Sequence, residues 1–345
     1  MSKGKKIFAI IFGIILVLFL AVVGMGAKLY WDVSKSMDKT YETVERSKKS
    51  QVNLNNKEPF SVLLLGIDTG DDGRVEQGRS DTSHVCNFDY FKFTKATKDD
   101  QGYFFLKSDA SNQYAKCKNG SSDTTIVATV NPRDKQTTLV SLARDTYVDI
   151  PGQGKQDKLN HAYAFGGASL AMDTVENYLN IPINHYVSIN MAGLKELVNA
   201  VGGIEVNNNL TFSQDGYDFT IGKISLDGEQ ALSYSRMRYE DPNGDYGRQE
   251  RQRKVIEGIV QKVLSLNSVS NYQEILTAVS DNMKTDLSFD DMKKIALDYR
   301  SAFGKVKQDQ LQGTGFMQDG VSYQRVDEQE LTRVQQELKN QLNTK

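Results

Sequence analysis

Phe60-Ser-Val-Leu-Leu-Leu-Gly66 is an unbroken apolar run closed by a glycine, the pattern of a short strand buried on both faces of a sheet. Two more runs of this kind follow, at residues 125–130 and 137–142. Elsewhere the apolar spacing lengthens to about 3.6 residues, which predicts helices. These cover residues 162–179 beyond Gly166-Gly167, 192–201 ahead of Gly202-Gly203, 247–266, 290–303 and 328–342. Residues 231–239 read as another strand. Strands alternating with helices place the chain in the α/β class, with a central mixed sheet covered by helices in an α/β/α layering.

Working outward, residues 7–27 carry no charge and are almost wholly apolar. At 1.5 Å per residue, such a run is just long enough to cross a hydrocarbon core. Lys3, Lys5 and Lys6 precede it, and short basic flanks stay in the cytoplasm. The expected order is therefore a cytoplasmic tail (1–6), a transmembrane helix (7–27), a polar, lysine-rich stalk (28–57) and one extracytoplasmic domain (58–345). The expected location is the cell membrane, crossed once, with the domain outside. The formal net charge of -2 gives no diffuse positive field, which argues against a nucleic-acid partner. An anionic ligand would have to be held locally.

A polar stretch at about 82–122 interrupts the pattern. It lies between Gly78-Arg-Ser-Asp-Thr82 and the similar Gly120-Ser-Ser-Asp-Thr124, and its middle reads as a hairpin turning at 98–102. Cys86 and Cys117 bracket it and are a possible disulfide in an oxidising compartment.

The distribution of basic residues points to chemistry. Lysine outnumbers arginine 29 to 13, yet residues 236–253 hold Arg236, Arg238, Arg248, Arg251 and Arg253 and no lysine. A guanidinium offers a rigid fork of donors that meets phosphate oxygens two at a time. The segment therefore suits a diphosphate. On the expected strand 231–239, Arg236 and Arg238 would share a face. Along the following helix, the apolar stripe Val255, Ile256, Ile259, Val260 and Val263 runs back to Arg251 and Gln252 and then Arg248. Polar groups that begin a core-facing stripe imply a ligand near the helix N-terminus, where partial positive charge also favours an anion. Arg253 is expected in solvent.

Asp68 follows the first strand at its carboxyl end, where α/β sheets commonly bind ligands, and is a candidate metal ligand. Arg79 and Asp81 occupy a glycine-flanked turn, and Arg144-Asp145 closes the third strand run. Several arginines with a few carboxylates suit a Mg²⁺-pyrophosphate site, Mn²⁺ being the alternative ion. Lys158-Leu-Asn-His-Ala-Tyr163 reads as capping and packing ahead of a helix.

Taken together, Leu64-Leu-Gly-Ile-Asp68, Gly78-Arg-Ser-Asp-Thr82, Ser141-Leu-Ala-Arg-Asp-Thr146, Lys158-Leu-Asn-His-Ala-Tyr163, Gly202-Gly-Ile204, Tyr234-Ser-Arg-Met-Arg238 and Asp245-Tyr-Gly-Arg-Gln-Glu-Arg-Gln252 resemble the LytR-CpsA-Psr proteins of Gram-positive bacteria. The resemblance runs over about residues 60–267. It implies an enzyme, a Mg²⁺-dependent phosphotransferase that moves an anionic glycopolymer from a polyprenyl-pyrophosphate carrier to peptidoglycan, with the lipid in an apolar tunnel beside the sheet. Wall teichoic acid or a capsular polysaccharide would be the glycopolymer. Carried over by position, Arg79, Arg144, Arg236, Arg238, Arg248 and Gln252 would hold the pyrophosphate, and Arg238, Arg236, Arg144 and Asp68 would serve catalysis. In the family the Arg-Ser-Asp turn runs straight into a strand, whereas here the inserted segment divides it. Asp81 keeps the arginine and Asp123 keeps the strand, so the second metal ligand is expected at Asp81, with Asp123 the alternative. A hydrolase of the same lipid-linked substrate, or a non-catalytic lipid-binding regulator of the envelope, would use the same residues.

Overall fold

Six strands form the central sheet of the computed structural model, which describes residues 27–46, 52–68, 93–98, 104–108, 114–117, 121–265, 272–304 and 306–343. They are β1 (Phe60–Asp68), β2 (Ser121–Asn131), β3 (Gln136–Leu142), β4 (His185–Asn190), β5 (Met283–Thr285) and β6 (Val306–Gln310), in the spatial order β5-β4-β1-β2-β3-β6. β1 runs parallel to β4 and β3 parallel to β6, while β1-β2, β2-β3 and β4-β5 are antiparallel. The expected mixed sheet is present.

Alternation along β1 shows why both faces are covered. Val62 and Leu64 enter one core with Ile126, Ala128 and Val187, and Leu63, Leu65 and Ile67 enter the other with Val127, Val140 and Tyr186. Among the described residues, eight helices supply the outer layers: α1 (Ala27–Thr40), α2 (Leu159–Leu179), α3 (Met191–Ala200), α4 (Gly228–Arg236), α5 (Asp245–Ser265), α6 (Tyr272–Asn282), α7 (Phe289–Asp298) and α8 (Glu328–Leu342). α2 and α8 cover one face, through Met172, Val175, Val334 and Leu338. The other six cover the opposite face, through residues such as Met37, Leu197, Tyr234, Val255, Val279 and Ile295. α2 is kinked at Gly166-Gly167, where Gly167 takes φ 62° and ψ -154°, a conformation open only to glycine.

One sequence expectation fails here. Residues 231–239 are not a strand: α4 occupies Gly228–Arg236 and stops where Met237 turns to φ -57°, ψ 135°. The cause lies upstream, in a capping box. Asp227 accepts from the Gln230 backbone while the Gln230 side chain accepts from the Asp227 N–H, which satisfies two otherwise orphaned donors and nucleates a helix.

The segment between β1 and β2 leaves the sheet at Asp68 and returns at Ser121, and these two residues pair across the ladder. Within the segment, strands Phe93–Lys98 and Phe104–Ser108 pair antiparallel, and a third strand, Tyr114–Cys117, completes a small antiparallel sheet; the expected first strand at 87–93 lies, but for Phe93, outside the described residues. The 7–27 run up to residue 26, Arg79, Asp81 and Cys86 lie outside the described residues. Among the described residues no helix is long and apolar enough to cross a membrane. The described part of the stalk packs on the domain, with Met37 only 2% exposed.

Candidate functional site

The site assembles where β1 and β2 end. Thr124 pairs with Gly66 and Ser122 with Ile67, so Asp123 is the extra residue of a β-bulge. A bulge re-aims a side chain out of the pleat. The Asp123 carboxylate meets Arg144 Nη1 at 2.6 Å, just beyond the end of β3. Gly66 permits the close approach of the two strands at this point, since a Cβ there would lie 3.0 Å from Thr124 Cβ.

Arg144 leads to a second carboxylate. Asp145 Oδ1 lies 2.9 Å from Lys158 Nζ, and the Asn160 N–H donates to the Arg144 carbonyl. Burial pushes the Asp145 carboxyl up, but Lys158 and then Arg144 outweigh it and hold Asp145 below the usual carboxylate range. Lys158 is thus part of the ionic network, where sequence suggested capping; its side chain makes no cap hydrogen bond to α2.

The first turn of α5 contributes from the opposite side. Arg248 is 8% exposed and pairs with Asp245 one turn earlier, at 2.5 Å. Burial lowers the affinity of its guanidinium for the proton, Asp245 opposes this, and the nearby positive charges of Arg144 and Arg238 add to it. Arg144 and Arg238 thus lie near enough to Arg248 to oppose its charge, while Asp245 and Asp123 offset them. Arg238 stacks its guanidinium 4.8 Å from the Tyr239 ring centre, and its Nη2 lies 3.0 Å from Tyr239 Oη. Arg236 ends α4, half-buried, so Arg236 and Arg238 flank a helix end and do not share a strand face.

Two arginines of the cluster do other work. Arg251, 2% exposed, pairs with Asp241, donates to the Met237 carbonyl at 2.5 Å and packs over the Phe212 ring. It pins both ends of the loop that carries Arg238. Arg253 is not solvated as expected: it is 7% exposed, and its Nη1 donates to Ser141 Oγ at 2.6 Å. The apolar stripe of α5 faces the sheet, and position 253 meets the polar edge of β3 on that same side.

Gln252 marks the junction with an apolar groove. Its buried Oε1 has no hydrogen-bond donor among the described residues. From there the groove passes Ser235, Thr124 and Gly66 and continues along Val255, Ile256, Ile259, Leu194, Leu197, Met283 and Met292, enclosing about 990 Å³ that includes open solvent. Val255, Ile256 and Ile259 of the stripe expected from α5 line it.

As for a metal, β1 ends at Asp68, one strand away from Asp123. Among the described residues no group of three or more His, Cys, Asp or Glu comes together. A Mg²⁺ shared with a diphosphate takes only one or two protein carboxylates, so the carboxylates at the ends of these adjacent strands are the candidates to hold it.

Known proteins resemble this chain in sequence and in fold. The LytR_cpsA_psr family model matches residues 28–97 and 92–340. A polyisoprenyl-teichoic acid–peptidoglycan teichoic acid transferase, TagU of Enterococcus faecalis, is 88% identical over 345 residues and all of both chains. The crystal structure of Bacillus subtilis TagU is 37% identical with TM-score 0.57, over 84% of this chain and 99% of that one. TagT bound to LI-WTA aligns with TM-score 0.60 at 26% identity, over 88% of this chain and 100% of that one. A family model that matches most of the sequence and relatives similar from end to end show that the chain belongs to the LytR-CpsA-Psr family.

Proposed function

We propose that the chain transfers an anionic glycopolymer of the teichoic acid class from a polyprenyl-pyrophosphate carrier to a peptidoglycan hydroxyl. The observation that carries this reading is the junction at Gln252, where Arg248, its charge opposed by Arg144 and Arg238, stands one turn from an apolar groove. A diphosphate would relieve the repulsion, and only an anion attached to a long apolar chain uses both halves. The relatives named as teichoic acid transferases act on polyisoprenyl-linked substrates of this kind.

The acceptor oxygen bonds to the phosphorus that bears the sugar, the bond from that phosphorus to the bridging oxygen breaks, and polyprenyl phosphate departs with the electron pair. The hydroxyl proton passes to solvent. Arg144, Arg238 and Arg248, with Arg236 and Arg79, hold the diphosphate oxygens and stabilise the charge that gathers on the leaving phosphate. Gln252 binds at the head of the lipid groove. Asp68 and Asp81 would hold Mg²⁺ or Mn²⁺, with Asp123 the alternative to Asp81; when bound, the ion would supply further neutralisation of the diphosphate. The anchor at 7–27 would keep the enzyme on the outer face of the membrane that carries its donor, which raises their effective concentration.

Purified full-length protein, given lipid-pyrophosphate donor, Mg²⁺ and peptidoglycan, should release polyprenyl phosphate and label the peptidoglycan, and Arg238→Ala should abolish both. Equal release without acceptor would identify a hydrolase.

A further inference from the structure

Residues 27–46 join the apolar run 7–27 to the domain, and they are clamped to it at several points. Arg46, with a side chain 2% exposed, places Nε 2.8 Å from Asp173, Nη2 2.8 Å from Glu176 and Nη1 2.5 Å from the Ile183 carbonyl. The Glu42 N–H donates to the Thr285 carbonyl at 2.8 Å, and Met37 is buried in the core on the groove side of the sheet. α1 itself packs along α6 and touches α7 and β5.

Those contacts place α1 beside one end of the groove. Met283 and Thr285 of β5 and Met292 of α7 line the groove, and β5 and α7 are elements that α1 touches. At its other end the groove reaches Gln252 and the arginines. It therefore runs from the charged site toward the segment that continues into the apolar run. α1 and α7 also carry exposed apolar side chains, Trp31 at 73% and Leu297 at 62%. Trp31 lies four residues past Ala27, about 6 Å along a helix, and tryptophan favours the membrane-water interface.

We propose that the edge formed by α1 and α7 is the surface that this domain lays on the lipid bilayer, with Trp31 and Leu297 in the interfacial layer and the near end of the groove opening toward the membrane. This rests on the reading of 7–27 as an anchor, and adds a fixed orientation. The Arg46 clamp denies the domain the freedom to tumble on a loose tether, so one edge faces the lipid at all times. A polyprenyl chain can then move from bilayer to groove without crossing water.

Trp31 is the only tryptophan of the chain, which makes fluorescence a direct test. The full chain is reconstituted into phosphatidylcholine-phosphatidylglycerol vesicles with acyl chains brominated near the headgroup. Three proteins are compared: the unaltered chain, Trp31→Phe with Leu297→Trp, and Trp31→Phe with Met317→Trp, Met317 being an exposed residue of the strand Thr314–Gln318. The expected result is quenching of Trp31, and a loss of emission for Leu297→Trp several-fold larger than for Met317→Trp. Quenched Trp31 with Leu297→Trp and Met317→Trp equally affected, or equally unaffected, would overturn the docking edge and leave the anchor intact. Unquenched Trp31 would overturn the anchor, and the edge with it.

Discussion

Arg144 and Asp123 form an ion pair of 2.6 Å across the ends of β2 and β3, and Asp123 reaches it because it is the bulged residue of its strand. The pair gives Asp123 a place in the site that its position after the inserted segment obscured. If Asp123 is a ligand of the cation, Asp123→Asn should lower the apparent Mg²⁺ affinity by at least about 10-fold, the lower end of the range for groups that merely orient a metal's ligands. Transfer rate measured against Mg²⁺ concentration checks this, with Asp81→Asn in parallel. A larger effect at Asp81 would hand the role to that residue.

Arg251 and Asp241 make a second prediction, one about stability. Their side chains are 3% and 7% exposed, so removing either partner leaves a buried charge uncompensated. Arg251→Met and Asp241→Asn should each destabilise by about 3 kcal/mol or more, read as a fall in the urea midpoint. Gly247→Ala should act on the same pair without removing a charge, because a Cβ at 247 would strike the Asp241 carboxylate. If urea midpoints are unchanged in all three variants, the clamp does not hold the loop.

The fold was legible wherever periodicity alone decides it. Phe60 to Gly66, the helix Glu328–Leu342 and the stripe through Val255 and Ile259 were all read from apolar spacing, because burial on one or two faces leaves that imprint directly. Residues 231–239 were misread because Ala231, Leu232, Tyr234 and Met237 are apolar at spacings open to either period, and the deciding signal, Asp227 with Gln230 three residues on, precedes the segment. At the site, Arg248 and Gln252 were legible as polar residues on an apolar stripe. Lys158 was not, since its partner Asp145 is distant in sequence and only the fold brings them together. Arg253 was misplaced for the same reason: a charged residue one step from the stripe is buried here by Ser141 and Gln308, both far away in sequence, a pairing that spacing does not encode.

Asp145 and Lys158 give a prediction in pH. The carboxyl of Asp145 is held below its usual range in the folded protein, so the unfolded chain takes up the proton first as pH falls. Its stabilising contribution is complete above the unfolded carboxylate value, about 3.9, and is lost as pH drops through the lower folded value. In Lys158→Met, burial would act with less opposition and raise the carboxyl, so acid unfolding should begin at a higher pH. Thermal melts across the acid range check the sign. Coincident acid limbs for the two proteins would remove Lys158 from the account.

The groove makes the last prediction, and it separates lipid binding from chemistry. Ile256 lines the apolar wall on α5, one turn beyond Gln252, and is partly buried, so a larger side chain there would project into the groove with little effect on the core. Ile256→Trp should fill space that a polyprenyl chain occupies and leave the arginines in place. With a long-chain donor, KM should rise about tenfold or more, equivalent to about 1.4 kcal/mol of lost apolar contact. With a donor truncated to a few carbons, which cannot reach that far, wild type and variant should turn over alike. An equal loss on both donors would mean that the substitution disturbs the diphosphate site. No loss on either would mean that the lipid lies elsewhere, and the junction at Gln252 would no longer support a lipid-linked substrate.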